Sequence, residues 1–187
     1  MQATFIATTP RASLEALRYQ GIAVSESHAQ LQSLLRNKLS PEHALLLAEP
    51  VLNSAGTSVD WYTSLNGPLA PLDSLSPEEK QAAVLEIRRL AGGIHELAES
   101  LKQGGEGSQA VRGNILSLAL SYPGSEYIYM AGKQPVLLCW GFAPASSIAP
   151  PEELVRLGAG APLASPPAPP PTAAPAEGPN GAEGSND

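Results

Sequence analysis

Apolar and polar residues alternate in two regions of the chain, and each region contains a pair of short runs that surround a turn with glycine. Residues 58 to 65 show the period of two that is typical of a strand with one buried face, and residues 45 to 53 precede them across a small loop. Residues 126 to 142 form the second pair of runs, with Gly132 in the turn. We therefore predict two β-hairpins. The nearly continuous apolar run over residues 136 to 140 predicts a central strand covered on both faces.

Helical periodicity marks three other segments. Residues 27 to 39 and 108 to 121 each place apolar side chains on one side of a predicted helix. Ser76 and Pro77, followed by two glutamates, are typical of the start of a helix. The long helix that begins there carries an apolar stripe of Ala83, Ile87, Leu90, Ile94, Leu97 and Leu101. We favour packing of this stripe on the chain's own sheet over a coiled-coil seam between copies.

The order of these elements is helix, hairpin, two helices and hairpin. It predicts an α+β fold, with an antiparallel sheet of about four strands and helices packed on one face. The first 24 residues hold two further candidate elements. Residues 3 to 8 match an edge strand, and residues 13 to 19 match a short helix that ends at Gly21.

The composition changes after Phe142. Residues 144 to 187 are dominated by Pro, Ala, Gly and Ser and contain no aromatic residue, so they cannot bury enough apolar surface to offset their chain entropy. We predict a globular domain over residues 1 to 143, followed by a disordered Pro/Ala-rich tail or linker. Within the tail, Leu154 and Leu157 lie in a short amphipathic run, which either docks on a partner or packs at the edge of the domain.

The composition also limits the class of partner. The 187 residues carry a formal net charge of −7, and the eleven Lys and Arg residues are scattered, which argues against a surface for nucleic acids or anionic membranes. The start of the sequence lacks the pattern of a signal peptide, and no apolar run approaches the roughly 20 residues that span a bilayer. The single cysteine is typical of a reducing compartment, so we predict a cytoplasmic protein. From the charge and the hydropathy, we predict no nucleic-acid partner and no direct membrane insertion.

Candidate nucleophiles and metal ligands are few. Cys139 could pair with His43 or His95, but an apolar strand raises the pKa of a thiol and suppresses its reactivity. His28, His43 and His95 are far apart in sequence and lack the spacing of a metal site. We predict surface or structural roles for these histidines.

Carboxylates near the predicted strands are the remaining catalytic candidates. Glu49, Asp60 and Glu126 could act as an acid and a base only if their environments separated their pKa values. Solvated charges at a sheet edge are the simpler interpretation. The sequence also lacks the usual nucleotide-binding and hydrolase motifs. We predict no catalytic residue and no cofactor.

Aromatic residues concentrate on the two predicted hairpins. We assign Trp61 and Trp140 to the core. Tyr62, Tyr127 and Tyr129 are candidate partner contacts, because tyrosine buries a large area at a low entropic cost.

Three segments, PEHALLLAEPVLN, VDWYTSLNGPLAPLDSL and YIYMAGKQPVLLCWGF, together resemble the N-terminal region of bacterial SrfA-type virulence-associated proteins. The resemblance covers about residues 41 to 143 and includes no catalytic signature. It implies a domain that precedes a Pro-rich linker in a larger assembly protein and acts beside partner proteins from the same locus. No functional residue can be carried over.

These observations predict a non-enzymatic adaptor or assembly domain of a bacterial virulence-associated system, which binds partner proteins through its sheet face or its tail. The alternative is a small-molecule sensor or an unrecognised small enzyme, with a pocket between the hairpins and the long helix. A further candidate is a homo-oligomer that forms through four residues of the stripe: Ile87, Leu90, Ile94 and Leu97.

Overall fold

The computed structural model describes residues 3–104, 107–145 and 150–158. The α-helices are α1 (His28–Lys38), α2 (Pro41–Leu45), α3 (Pro77–Gly104) and α4 (Ser108–Leu118). The strands are β1 (Thr4–Pro10), β2 (Leu14–Ala16), β3 (Arg18–Tyr19), β4 (Ile22–Ala23), β5 (Glu49–Leu52), β6 (Ser58–Thr63), β7 (Leu69–Pro71), β8 (Ser121–Tyr122), β9 (Ile128–Ala131), β10 (Gln134–Leu137), β11 (Phe142–Pro144) and β12 (Glu152–Glu153). Short 3₁₀ helices cover Arg11–Ser13, Val24–Ser27, Leu72–Ser74, Ser125–Tyr127 and Leu154–Arg156. This mixture of helices and antiparallel strands confirms the predicted α+β class.

Strands β5 and β6 form the first predicted hairpin, and β1 pairs with the other side of β6. Along β6, Val59 and Trp61 are buried, whereas Tyr62 between Trp61 and Thr63 is only partly buried. This alternation matches the sequence period of two. Strand β1 confirms the edge strand that we predicted near the start of the chain.

Strands β9 and β10 form the second predicted hairpin around Gly132, whose φ of +60° fits the turn. Strand β7 pairs with the other side of β9, so that the sheet order is β10-β9-β7. The sequence did not reveal β7, because it is three residues long and ends in Pro71, which is typical of a connection.

The predicted strand over residues 136 to 140 is shorter than expected. Strand β10 ends at Leu137, since the backbone turns at Cys139 and Gly141, whose φ angles are +53° and +71°. A Cβ on Gly141 would lie 2.8 Å from Cγ1 of Val24, so a larger residue does not fit there. The predicted burial is nevertheless correct, because every residue from 135 to 142 is buried. The predicted central position is wrong, since β10 is an outer strand of the sheet β10-β9-β7.

A short parallel bridge joins the two three-stranded sheets. The Leu137 N–H donates to the Leu46 carbonyl over 2.6 Å, and the Ala48 N–H donates to the Leu137 carbonyl over 3.1 Å. The indole N–H of Trp140 donates to the Ala48 carbonyl over 2.7 Å. The single four-stranded sheet that we predicted is therefore wrong. Each hairpin gains its own third strand instead, and residues 46 to 48 connect the two sheets.

Helix α3 begins with a capping box, in which Glu79 N–H donates to Ser76 Oγ over 3.3 Å and the Glu79 carboxylate accepts from the Ser76 N–H over 3.1 Å. Its apolar stripe contacts the rest of the chain, including α2, α4 and β10. Because Ile87, Leu90 and Ile94 have no exposed surface, the predicted packing within the chain is confirmed. The same burial contradicts the proposed homo-oligomer contact, since fully buried side chains cannot touch a second copy. Leu97, the fourth residue of that contact, is partly buried.

Helices α1 and α4 confirm the two shorter helices that we predicted. The predicted helix over residues 13 to 19 is wrong, since β2 and β3 occupy most of it. Strand β2 pairs with β11 and β3 pairs with β4, so tertiary pairing overrides a weak local preference for helix. Helix α2 was also missed. Its first residue is Pro41, in the position that proline favours at a helix start.

Residues 150–158 pack on the domain. Strand β12 pairs with β8, and the Leu154 N–H donates to the Leu120 carbonyl over 2.9 Å. Leu154 is fully buried, so it is a core residue and not the partner contact that we predicted; Leu157 is partly buried. The globular unit therefore includes residues 150–158, beyond the boundary predicted at residue 143. The remainder of the predicted tail, residues 159 to 187, lies outside the described residues.

The crossing of α3 and α4 gives a matched test of two glycines. A Cβ on Gly113 would lie 2.8 Å from the Ala98 carbonyl oxygen, whereas nothing lies within 4 Å of a Cβ on Gly92. We expect Gly113→Ala to lower the free energy of unfolding by about 1–3 kcal/mol through overpacking. Gly92→Ala should raise it by up to about 1 kcal/mol, because alanine favours helix. Urea unfolding of both variants measures this, and a Gly113→Ala variant as stable as the unmodified chain would contradict the close crossing.

The buried position of Leu154 gives a second stability test. We expect Leu154→Ala to lower the free energy of unfolding by about 2–5 kcal/mol, since it leaves a cavity in the core. Leu157→Ala is the matched control and should cost less, because that side chain is only partly buried. Denaturant unfolding compares the two. An equal or larger loss in Leu157→Ala would show that the segment does not pack as described.

Candidate functional site

One face of the sheet formed by β1, β6 and β5 points to solvent. Strand register places Phe5, Tyr62 and Glu49 in one row and Thr8, Asp60 and Val51 in the next. We call these six side chains the outer face. Phe5 is 51% exposed and Val51 is 42% exposed, while the rings of Phe5 and Tyr62 meet edge to face with centroids 5.7 Å apart. Exposed apolar side chains beside a tyrosine form a candidate contact surface for a partner.

The outer face carries acidic groups and no basic ones. Strands β1, β5 and β6 contain no lysine or arginine, and they contribute Glu49 and Asp60. The Thr8 hydroxyl donates to an Asp60 carboxylate oxygen over 2.5 Å and fixes the orientation of that carboxylate. The face is therefore an apolar centre with negative charge beside it.

A cleft of about 250 Å³ opens beside Tyr62, between α1 and the β5–β6 hairpin. Helix α1 contributes its residues at positions 28, 29, 32 and 36, and the hairpin closes the opposite side. We call this the α1 cleft. The residues that line it are His28, Ala29, Gln32, Arg36, Leu45, Leu47, Glu49, Tyr62, Thr63 and Ser64.

The inner wall of the α1 cleft is held by Gln32. Its amide nitrogen donates to the Ala44 carbonyl over 2.7 Å and to the Leu47 carbonyl over 3.2 Å, and it lies 3.2 Å from Nε2 of His28. Its buried Oε1 has no hydrogen-bond partner among the described residues. The Gln32 side chain thus holds the segment between α2 and β5 against α1, while its own Oε1 accepts no hydrogen bond.

His28 is neutral at pH 7. Burial lowers the pKa of its imidazole below the usual range, and the neighbouring Leu47 carbonyl and Glu49 carboxylate oppose this only partly. Its ring packs against the indole of Trp140, with centroids 5.8 Å apart. The inner end of the cleft is therefore uncharged.

The charges of the α1 cleft lie at its edges. Arg36 on α1 and Glu49 on β5 are both exposed, and neither forms an ion pair within the part of the chain that the structure describes. Both act electrostatically on His28, Arg36 lowering and Glu49 raising its pKa. The Arg36 guanidinium and the Glu49 carboxylate thus lie near the same His28 imidazole, and neither has an ion-pair partner among the described residues.

The predicted tyrosine contacts do not form one site. Tyr62 lies on the outer face, whereas Tyr129 lies in the other sheet, where it pairs with Val136 and Pro71. Tyr127 is partly buried, and burial raises the pKa of its phenol. The sequence analysis did not single out the exposed ring of Phe5, because the pattern of the first 24 residues is ambiguous.

The predicted lack of reactivity at Cys139 fits its surroundings. Burial raises the pKa of this thiol to about 12, and its sulfur lies 3.5 Å from the Thr9 hydroxyl. That hydroxyl also accepts a hydrogen bond from the Trp61 indole over 3.2 Å. His43 bonds through Nδ1 to the Ser40 hydroxyl over 2.8 Å, and His95 is exposed on α3. The Thr9 hydroxyl lowers the pKa of the thiol, but the effect of burial is larger.

Within residues 3–104, 107–145 and 150–158, no three His, Cys, Asp or Glu side chains come together in a way that could hold a metal ion. Among these same residues, no helix combines the length and apolar character needed to cross a bilayer.

A larger groove of about 620 Å³ lies between α3 and the turn of the β9–β10 hairpin, close to where we expected a pocket. Its carboxylates are already engaged, since Glu79 caps the start of α3 and Glu86 pairs with Arg89 over 2.6 Å. The rest of the wall consists of Leu75, Met130, Gly132, two alanines of α3 and one further polar side chain, Lys133. The groove therefore offers few polar groups to orient a ligand.

No family model, curated protein or solved structure matches the chain. The resemblance to SrfA-type proteins consequently stays a prediction.

The buried imidazole of His28 predicts how stability depends on pH. The folded protein resists protonation of His28, so the unfolded chain binds more protons once the pH falls below the usual histidine pKa of about 6.5. The free energy of unfolding should therefore decrease as the pH is lowered from about 7.5 towards 5.5. Once the pH is below the pKa of His28 in the folded protein, His28 is protonated in both states, and this loss of stability should stop.

Urea unfolding across this pH range tests the assignment. His28→Gln should flatten the decline relative to the unmodified chain. His43→Asn is the control: burial also lowers the pKa of His43, but this side chain is more exposed, so its effect should be smaller. An unchanged pH slope in His28→Gln would show that His28 is not the responsible group.

Proposed function

We propose that this domain is a non-enzymatic adaptor that binds a partner protein through the outer face. The observation that carries the proposal is the exposure of Phe5 beside Tyr62 and of Val51 in the neighbouring row. Burying these side chains against a partner would remove apolar surface from water, which is the main favourable term in protein association. Tyrosine and phenylalanine lose little conformational entropy when a partner buries them.

The partner that fits the outer face is an extended protein segment with an apolar side chain next to lysine or arginine. The apolar side chain would contact Phe5 and Tyr62. The basic group would lie beside Glu49 or Asp60, which no lysine or arginine of the same three strands neutralises. Such charge complementarity contributes specificity and speeds association.

Side-chain contact is favoured over addition of a new strand at the sheet edge. Strands β1 and β5 are the two outer strands of this sheet. Pro50 lies in β5 and has no N–H to donate, and the register of β1 shifts between Phe5 and Ala7. Both features weaken an edge as a template for pairing.

The bacterial virulence-associated setting, the cytoplasmic location and a partner from the same locus depend on the sequence alone, and they remain predictions. Binding through the tail is the competing mode, and the experiment below separates it from binding through the outer face.

The test is selection of binding peptides from a random library displayed on phage, with the full chain immobilised. We expect the enriched peptides to combine an apolar residue with lysine or arginine. A synthetic peptide of the enriched sequence should bind Phe5→Ser and Tyr62→Ser at least about tenfold more weakly than the unmodified chain.

Leu85→Ser is the matched control, because Leu85 is 62% exposed on α3, outside the outer face. It should leave the affinity unchanged. If no peptide is enriched, or if the enriched peptides bind the Phe5 and Tyr62 variants normally, the outer face is not the binding surface. Circular dichroism of each variant verifies that the fold is retained.

A further inference from the structure

The α1 cleft has the rigid construction of a ligand site. Three elements form its walls, and Gln32 holds two of them together through the Ala44 and Leu47 carbonyls. His28 is kept in place behind it by the Trp140 ring. A site whose walls are fixed before binding loses less entropy when a ligand arrives.

The size of the cleft limits the ligand. Its volume of about 250 Å³ is below the range of about 300–1,000 Å³ that is typical of sites for drug-sized ligands. A nucleotide or a long peptide does not fit inside it. A molecule of a few heavy atoms does.

The charges of the cleft define the chemistry of the ligand. Arg36 can pair with a carboxylate, and Glu49 can pair with an ammonium group. The two are not paired with each other or with another described residue. A phosphate dianion would meet the Glu49 carboxylate, and an apolar ligand would leave both charges without a partner.

We propose that the α1 cleft binds a small zwitterion of the α-amino-acid class. The ligand carboxylate pairs with the Arg36 guanidinium, and the ligand ammonium group pairs with the Glu49 carboxylate. The phenol of Tyr62 and the side chains of Leu45 and Leu47 border the space left for the ligand side chain. This site goes beyond the proposed adaptor function: it shares Glu49 and Tyr62 with the outer face, but it takes a different class of ligand.

Isothermal titration calorimetry of the full chain with the common α-amino acids tests the proposal. At least one should bind with a dissociation constant below about 10 mM. Its N-acetyl derivative lacks the ammonium group and its amide lacks the carboxylate, so each should bind at least about tenfold more weakly. Equal binding of either derivative would show that only one charge is recognised, as for a peptide end, and would overturn the proposal.

Variants at the two charged positions supply the second readout. Arg36→Ala and Glu49→Gln should each weaken binding at least about tenfold, and since both residues are exposed, the fold should persist. Arg88→Ala and Glu96→Gln are matched controls at exposed positions of α3 and should bind normally. The inference fails if no amino acid binds, or if binding survives in both cleft variants. Neither result affects the peptide selection that tests the outer face.

Discussion

The hydrogen bonds between residues 46 to 48 and the end of β10 hold the two halves of this domain in register. Each sheet has only three strands, and a small sheet is marginal unless further packing supports it. The Leu137 backbone bonds to residues 46 and 48, and the Trp140 indole bonds to the Ala48 carbonyl. All of these groups are buried, so breaking one would leave an unpaired polar group in the core.

The same bridge positions both candidate surfaces. Residue 49 begins β5 directly after the bridge, so the carboxylate of Glu49 is placed at the meeting point of the outer face and the α1 cleft. Within the bridge, Leu47 forms part of the cleft wall, and its carbonyl accepts a hydrogen bond from Gln32. The position of the cleft is therefore determined by backbone pairing, while its charge comes from side chains that are not required for the fold.

Patterns within short stretches of sequence predicted the helices and strands whose formation depends on neighbouring residues. The period of two around Trp61, the capping residues before α3 and the stripe through Ile87 each led to the correct element, because burial of one face produces each pattern. Pairing between distant segments could not be predicted from these patterns. The bridge to β10, the addition of β7 and the return of Leu154 to the core depend on partners far away in the chain. The α1 cleft was missed for the same reason: its walls come from three separate segments, and no motif connects them.

The turn after β10 places the only cysteine of the chain in an unusual position. Cys139 combines a positive φ, complete burial and a pKa raised to about 12, so almost no thiolate reaches solvent while the domain is closed. A thiol reagent can modify it only during an opening of the structure. Since Cys139 lies between Leu137 and Trp140, the two residues that bond to residues 46 and 48, the labelling rate reports how often the two sheets separate. Cys139 is therefore a natural probe for the opening of the contact between residues 46 to 48 and β10.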